Sequence, residues 1–388
     1  MGQLSIYLPP FASDYTGACS ALFDFDCMTA ITDASCCTSH YVYTDEPRWG
    51  EKVKPVFSIA LRNVDAVLGN DKKIVDEIKD AASHIQADII AVIGTPVPAI
   101  TGMDVEGISK EIEDLTGKTS FGFNTTGFNY YDFGMIAAGK ALIDRFSEKK
   151  DVIEGSVNII GTTPLDFGAK GNAEAMYRRF SDAGIHVIAR PFMDTDIDQI
   201  RNCSSASLNI ASSASGLAIC HYLKDKFGTP FKAGMPLGNS YGSEWLKNLN
   251  NHGWSLTDHC VTSGRRLLII HDQVIANSIR NAMRFLGAEF EISVASFFSF
   301  DEGLAEPGDI HFGNETQYIA HMKHEKYDAI MGDDLIISIP ENDGLLKFDE
   351  PHPAVSGKLS RNYLSNYFTT EYEEKLKDIV SELNKKTV

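Results

Sequence analysis

The sequence predicts an α/β protein built from three Rossmann-like open parallel sheets, because two kinds of segment alternate along its 388 residues. Short apolar runs rich in β-branched residues, such as residues 87–94, are typical of strands buried on both faces. Amphipathic runs with helical spacing, such as residues 71–84, lie between them. The alternation restarts near residues 157 and 265, so three rounds of strand and helix predict three α/β units.

The first round predicts an N-terminal domain of residues 1–150, which ends at the charged link 147–151. Asp104 is available as the N-cap of one of its helices. The predicted elements are a helix at 71–84, a strand at 87–94, a helix at 105–115, a strand at 119–123 and a helix at 131–146. The four cysteines that precede these elements therefore belong to the first domain.

The second and third rounds predict domains of residues 151–262 and 263–388. In the second, the small-residue-rich run 208–227 predicts one long, tightly packed helix. Its other predicted elements are strands at 157–161 and 186–189 and a helix at 172–183. The third round predicts strands at 265–271, 290–294 and 329–331 and helices at 273–286, 314–324 and 370–385. No sequence repeat accompanies the three rounds, so their similarity is one of architecture.

Ligands of open parallel sheets bind beyond the carboxyl ends of the strands, so the loops there are the functional candidates. These loops are residues 95–101, 124–128, 162–166 and 234–242. We expect them to line a site between the domains.

Net charge, hydrophobic patterning and cysteine content argue against some classes of function and cellular location. A formal charge of −18 repels phosphate backbones and argues against a nucleic-acid partner. The start of the sequence has no basic segment followed by an apolar run, and no window has the length of a membrane span, so we expect a cytoplasmic protein. An odd number of cysteines, seven, also favours a reducing compartment.

Four of the seven cysteines lie within nineteen residues, at Cys19, Cys27, Cys36 and Cys37. Iron-sulfur clusters require thiolates, usually four per cluster, in a largely apolar surrounding, and this stretch supplies both. The spacing lacks the compact C-x2-C motif of ferredoxins, so spacing alone leaves open that each cysteine is a small buried hydrophobe. The remaining three are predicted to be packing residues: Cys203, Cys220 and Cys260.

Several segments carry a resemblance to a known family. They are Gly17-Ala18-Cys19-Ser20, residues 33–41 around Cys37, residues 92–112, residues 124–128 and residues 220–230. Together they resemble the nitrogenase component 1 proteins, a family that includes the molybdenum-iron protein subunits, cofactor-assembly scaffolds and dark-operative tetrapyrrole reductases. The resemblance implies a fold of three Rossmann-like domains and assigns Cys19 and Cys37 as iron-sulfur ligands.

The sequence departs from that family at two ligand positions. Thr95 stands in the place of a third cluster cysteine, and Ser212 in the place of the cysteine that anchors a molybdenum-type cofactor. His352 occupies the place of the cofactor's histidine. Because a serine is a poor ligand for a soft metal-sulfur cofactor, we expect no molybdenum-iron cofactor.

The resemblance also implies an assembly. Cys19 and Cys37 from each of two component-1-like chains would supply the four thiolates of a 4Fe-4S cluster at a twofold axis. Cys36 or Cys27 could add a ligand for a larger cluster, and a different partner chain could contribute three cysteines. The partner is thus a second copy or a homologous chain, and an ATP-dependent iron protein would deliver electrons.

The resulting functional hypothesis is a nitrogenase-like oxidoreductase subunit with an unidentified substrate. Its candidate cavity residues are Thr95, Thr126 and Ser212 as cofactor-binding residues and His352 as a catalytic residue. Two alternatives stay open within the same family. One is a scaffold or carrier that assembles metal clusters or cofactors, and the other is a component of a tetrapyrrole or thioether reductase.

Overall fold

The structure, a computed structural model, describes residues 5–50, 52–168, 171–251 and 264–385. Its three sheets are built from parallel strand pairings throughout these residues, so the predicted fold class is confirmed. Within the same residues, no helix is long and apolar enough to cross a membrane.

The first sheet consists of Cys27–Ile31 (β1), Val56–Ser58 (β2), Ile89–Ile93 (β3) and Thr119–Phe123 (β4), in the order β2-β1-β3-β4. Its helices are Asp14–Leu22 (α1), Cys36–His40 (α2), Asn63–Leu68 (α3), Asp71–His84 (α4), Pro96–Thr101 (α5), Val105–Thr116 (α6) and Tyr131–Phe146 (α7). A π-helical turn, Tyr41–Asp45, and a 3₁₀ turn, Pro47–Gly50, follow α2.

The second sheet consists of Ile153–Ile160 (β5), His186–Ala189 (β6), Ala206–Ala211 (β7) and Phe231–Ala233 (β8), in the order β6-β5-β7-β8. Its helices are Pro164–Phe167 (α8), Gly171–Asp182 (α9), Ile197–Asn202 (α10), Ala214–Phe227 (α11) and Ser240–Lys247 (α12). The predicted helix over residues 208–227 is wrong in its first part. Residues 208–211 complete β7, and Ser213 caps α11 by accepting the N–H of Gly216.

The third sheet consists of Arg266–Ile270 (β9), Glu291–Ser296 (β10), Ile310–His311 (β11), Ala329–Gly332 (β12) and Leu346–Asp349 (β13), in the order β11-β10-β9-β12-β13. Its helices are Gln273–Phe285 (α13), Glu315–His324 (α14), Asp334–Ile337 (α15), Pro353–Ser356 (α16) and Thr370–Asn384 (α17). The division of the chain into domains at 150 and 262 stays a prediction, and the second boundary falls in 252–263, outside the described residues.

Local sequence explains the elements that were predicted correctly. All five residues of β3 are buried, as expected for a central parallel strand. Asp104 caps α6 by accepting the N–H of Gly107 at 2.8 Å, and Gly117 ends the helix with a φ of 68°. The hydrophobic pattern and these caps together fix where the helix begins and ends.

One buried core cluster joins the three sheets and creates the junction on which the site depends. It includes Ile93 of β3, Ile160 of β5 and Ile270 of β9, all at the carboxyl ends of their strands. The backbone N–H of Ala214 donates to Asp272 at 2.7 Å, which ties the start of α11 to the start of α13. Loops from the carboxyl ends of different sheets therefore meet in the interior.

Candidate functional site

Cys19 lies on a helix that packs very closely against its neighbour. α1 crosses α7 at Gly17 and Gly134, and a Cβ atom added at either glycine would lie 1.8 Å from a backbone oxygen of the other helix. Since no side chain separates the two backbones, Cys19 is held in the core with 2% of its surface exposed. Burial raises the pKa of its thiol, so it stays protonated at neutral pH unless a metal ion displaces the proton.

Cys36 and Cys37 begin α2, directly after the turn that leaves β1. Ser35 has a φ of 77°, a left-handed conformation that costs energy for a non-glycine residue and is enriched at functional sites. The carboxylate of Asp33 stabilises the turn, because it accepts the N–H of Thr38 at 2.8 Å and its hydroxyl at 3.1 Å. The turn leaves Cys36 exposed and Cys37 half-buried.

The thiol of Cys37 lies among polar groups at the carboxyl edge of the first sheet. Burial and the charge of Asp33 raise its pKa, while hydrogen bonds with Tyr15 and Thr95 oppose that rise. After burial, Cys27 and Glu46, Asp33 is the next group that raises the pKa of Cys19, so its carboxylate acts on both thiols. The structure thus brings Cys37 and Thr95 into contact and keeps Cys19 within electrostatic range of the same loop.

Thr95 and Thr126 lie in neighbouring loops at this edge. The hydroxyl of Thr95 donates to a backbone oxygen just after β1 at 2.8 Å. The N–H and hydroxyl of Thr126 donate to Asp14 at 3.0 and 3.2 Å. A Cβ atom at Gly127 would lie 2.7 Å from Pro96, so the two loops touch. Both threonines therefore have protein partners that fix the loops around Cys37.

Glu46 and Arg48 form a buried ion pair that the sequence patterns did not reveal. Arg48 Nε donates to Glu46 Oε1 at 2.8 Å, and its Nη2 donates to Oε2 at 3.0 Å and to the backbone oxygen of Ser20 at 2.7 Å. Glu46 in turn accepts the hydroxyl of Ser20 at 2.7 Å. Because Ser20 neighbours Cys19, this pair fixes the segment after Cys37 against the helix that carries Cys19. The one sequence signal was a pair of opposite charges, two residues apart, in an aromatic-rich stretch.

The other cysteines lie elsewhere. Cys27 is buried on β1, and burial raises its pKa to about 12. After burial, the nearness of the Cys27 thiol is the largest cause of the raised pKa of Cys19. Cys203 and Cys220 are buried, as predicted for packing residues. Cys260 lies outside the described residues.

In the part of the chain that the structure describes, no three His, Cys, Asp or Glu side chains are grouped so as to hold a metal ion. A 4Fe-4S cluster requires about four thiolates. Cysteine thiolates have the right chemistry for such a cluster, and the described residues of one chain bring no complete set of ligands together.

With the fold and these loops established, the comparison with known proteins decides the family. The profile described as nitrogenase component 1 type oxidoreductase matches residues 13–253, which is more than half of the chain. The chain belongs to this family. The resemblance inferred from the cysteine segments is confirmed.

Curated relatives in this family cover part of the chain. The nitrogenase iron-molybdenum cofactor biosynthesis protein NifE of Clostridium pasteurianum is 27% identical over 187 residues, 47% of this chain and 40% of that protein. A light-independent protochlorophyllide reductase polypeptide of Nostoc punctiforme is 27% identical over 197 residues, 47% of this chain and 38% of that protein. The match thus spans less than half the length of these relatives.

Solved structures extend the similarity of fold to the whole chain. The structure of nitrogenase Cp1 at pH 5 has a TM-score of 0.67 and 15% identity, covering 99% of this chain and 90% of that one. The structure of nitrogenase Cp1 at pH 6.5 has a TM-score of 0.69 and 16% identity, covering 98% and 94%. The chain has the three-sheet fold of nitrogenase component 1.

The remaining two predicted site residues of this family member, Ser212 and His352, lie at the carboxyl ends of the second and third sheets. The hydroxyl of Ser212 donates to the backbone oxygen of Ile160 at 3.1 Å and lies 3.2 Å from the hydroxyl of Thr162. His352 is 1% exposed, and its backbone N–H donates to Asp333 at 2.8 Å. The predicted residues therefore fall into two groups, one around Cys37 and one at this junction.

His352 faces a buried carboxyl group that the sequence patterns did not single out. Its Nε2 atom lies 3.5 Å from Asp166 Oδ1, and burial lowers the pKa of the imidazole to about 3. Tyr131 donates its hydroxyl to the same oxygen of Asp166. Asp166 is the last residue of the predicted loop 162–166, so its position at a strand end was the one signal in the sequence.

Proposed function

We propose that this chain is a component-1-like reductase subunit that holds an iron-sulfur cluster jointly with a second chain. Cys19 and Cys37 from each chain would supply the four thiolates of a 4Fe-4S cluster, with Cys36 able to add a ligand. The observation that carries the proposal is the half-buried thiol of Cys37, which lies beside Thr95 at a strained turn of a family member.

The surface around this thiol supports an interface. Thr95 directly precedes α5, α3 packs against α5, and the turn Tyr41–Asp45 packs on the 3₁₀ turn Gly357–Leu359. These elements and the loop after β4 carry apolar side chains that are each more than half exposed: Tyr43, Val64, Ile100, Phe128 and Leu359. Exposed apolar residues grouped on neighbouring elements are typical of a protein interface. We name these five residues the cysteine face.

The donors available on each chain fit half of a cluster. Sulfur ligands suit iron, and two chains related by a twofold axis would bring their cysteine faces and their thiols together. Tyr15 and Thr95 lie close enough to Cys37 to lower the pKa of its thiol, and these polar neighbours would tune the reduction potential of a bound cluster. When bound, the cluster supplies one-electron transfer at low potential.

Electrons would come from an ATP-dependent iron protein that docks on the dimer, and the substrate would bind near His352 at the junction of the sheets. Ser212 argues against a molybdenum-iron cofactor there, because its hydroxyl is a poor ligand for soft metals and already donates to a backbone oxygen.

Anaerobic purification with iron and sulfide analysis, electron paramagnetic resonance and native mass spectrometry tests the proposal. We expect a dimer or a higher oligomer that contains one iron-sulfur cluster per pair of component-1-like chains. A folded dimer that contains no iron, even after reconstitution with iron and sulfide, would refute the cluster hypothesis.

Serine variants assign the ligands. Cys19→Ser and Cys37→Ser should each abolish the paramagnetic signal, whereas Cys203→Ser should retain it, because Cys203 packs against Ser147 beside the second sheet. Cys36→Ser distinguishes a larger cluster, whose iron content would fall, from a four-ligand cluster, whose iron content would not change. Equal losses in all variants would mean that the assignment is wrong.

A scaffold that assembles or carries a cluster is the second candidate, favoured by the similarity to a protein named for cofactor biosynthesis. It predicts that the cluster transfers to an acceptor protein and that no substrate is reduced. A component of a tetrapyrrole reductase is a third, favoured by the similarity to a protochlorophyllide reductase polypeptide. It predicts tetrapyrrole binding by the purified protein, which absorbance titration measures directly.

A further inference from the structure

The junction of the three sheets contains a group of buried ionisable side chains outside the cysteine loops. Tyr131 begins α7 beside the first sheet, Asp166 lies on α8 after β5, and His352 follows β13. His271 and Asp272 follow β9. Each of these residues is at most 2% exposed. Ionisable groups are rarely buried this deeply without a partner or a chemical role.

The hydrogen bonds of His352 fix its tautomer. Its Nδ1 atom accepts the backbone N–H of Ala354 at 3.1 Å, so Nδ1 carries no proton. A neutral ring then has its proton on Nε2, and a second proton would clash with that N–H. Because a neutral imidazole gives up its remaining proton only at very high pH, His352 can donate a hydrogen bond here but cannot act as an acid.

Asp166 is the group that can hold a transferable proton. Burial raises its pKa to about 7; hydrogen bonds from Tyr131 and Thr163 lower it, and the charge of Asp132 raises it. The hydroxyl of Thr163 donates to its second oxygen at 2.9 Å. The ionisable groups that face this carboxyl are Tyr131 and Asp132 from α7, His271 and Asp272 from the third sheet, His352, and Tyr367 from the segment before α17.

Several buried polar atoms at this junction have no hydrogen-bond partner among the described residues. They include Nε2 of His352, Nδ1 of His271 and Oδ1 of Asp132. The rings of His352 and His271 lie 4.4 Å apart, so their two unpartnered nitrogens belong to one small region. Buried polar groups are nearly always satisfied, and exceptions mark catalytic groups or the place of a missing polar ligand.

We infer that the junction is the acid centre of a substrate site, in which Asp166 donates the proton and His352 holds the substrate's acceptor atom through its Nε2–H. Tyr131 positions the Asp166 carboxyl. The substrate class is a molecule whose reducible group is itself a hydrogen-bond acceptor, such as a C=O or C=N bond. The source of electrons for this step rests on the proposed function.

The reaction balances in electrons and protons. The double bond would take up two electrons, delivered one at a time from the iron protein of the proposed function, together with one proton from Asp166 and one from solvent, which gives a C–H bond and an O–H or N–H bond. The Asp166 carboxylate then regains a proton from solvent. A proton donor close to pH 7 suits this role, since general acids work best when their pKa lies near the operating pH.

Infrared spectroscopy of the purified full-length protein tests Asp166 without cluster or substrate. We expect a protonated-carboxyl band that shifts in D2O and disappears with a midpoint of about pH 7. Asp166→Asn should remove this band, and Asp272→Asn identifies any separate band of Asp272, whose pKa burial also raises well above its ordinary range. Tyr131→Phe should retain it with a higher midpoint, since it loses a hydrogen bond that favours the carboxylate. Asp132→Asn, the matched buried-carboxyl control, should retain it with a lower midpoint, since it loses a negative charge.

Nitrogen-15 NMR of histidine-labelled protein tests His352, with His352→Gln to assign the signal. The expected result is a protonated Nε2, an unprotonated Nδ1 and no titration between about pH 5 and 8, because the pKa of the His352 imidazole is about 3. The inference is overturned if no neutral-range carboxyl band exists, if Asp166→Asn leaves it in place, or if His352 titrates. Both measurements also work on iron-free protein, so a failed cluster proposal would be a separate result.

Discussion

Replacing Arg48 by leucine tests whether the buried ion pair positions the cysteine segment. Arg48 is 3% exposed and Glu46 0%, so the substitution leaves a carboxylate in the interior without its cation. The variant also loses the donors to Ser20 at 2.7 Å and to Phe192 at 2.9 Å. Removing one partner of a buried pair typically costs about 3–5 kcal/mol, and we expect the free energy of unfolding to fall by that amount.

The double variant Arg48→Leu/Glu46→Leu separates the pair from the packing around it. Replacing a whole buried ion pair by apolar residues is often neutral, so the double variant should be more stable than Arg48→Leu alone. Asp24 lies 3.3 Å from Arg48 and remains as a partner in Glu46→Gln, which should therefore cost less than Arg48→Leu.

Urea unfolding followed by circular dichroism measures these free energies. Modification of Cys19 by a thiol reagent measures the local effect, because Ser20 and Glu46 hold the helix beside this cysteine. We expect faster modification in Arg48→Leu than in the parent protein. An Arg48→Leu variant within about 1 kcal/mol of the parent, or a double variant less stable than the single one, would refute the reasoning.

Three further predictions concern the helix crossing, the cluster and the junction. Gly17→Ala places a Cβ atom 1.8 Å from the backbone oxygen of Tyr131, so thermal unfolding should show a loss of stability of about 1–3 kcal/mol or more. The control is Gly171→Ala, because a Cβ atom at Gly171 meets no atom within 4 Å. Thr95→Cys adds a third thiol beside Cys37 and should raise the iron retained per chain after reconstitution, whereas unchanged iron would contradict the proposed contact. Asp166 has a folded pKa of about 7, above its ordinary value of 3.8, so the folded state binds the extra proton. Stability should then fall as pH rises from about 4 to 7, by up to about 1.4 kcal/mol per pH unit, and Asp166→Asn should remove this slope, measured by urea unfolding at each pH.

The sequence determined the fold class through local patterns. The β-branched run around β3 and the amphipathic run of α4 were recognised because burial on two faces, or on one helical stripe, leaves a period in the sequence. The cysteine segment and its family were also visible, since the identity and spacing of Cys19 and Cys37 do not depend on packing. The run 208–227 was misassigned because small residues suit both β7 and α11, and only pairing with β5 decides between them.

Only the tertiary structure decided which of these residues act together. Arg48 reaches Phe192, and Asp166 reaches His352 and Tyr131, across separate sheets. No periodicity encodes such contacts, because they arise where side chains from distant segments are buried in the same place. Burial also sets the chemistry there, since it raises the pKa of Asp166 and lowers that of His352, whereas the sequence supplies the same two groups with their ordinary values.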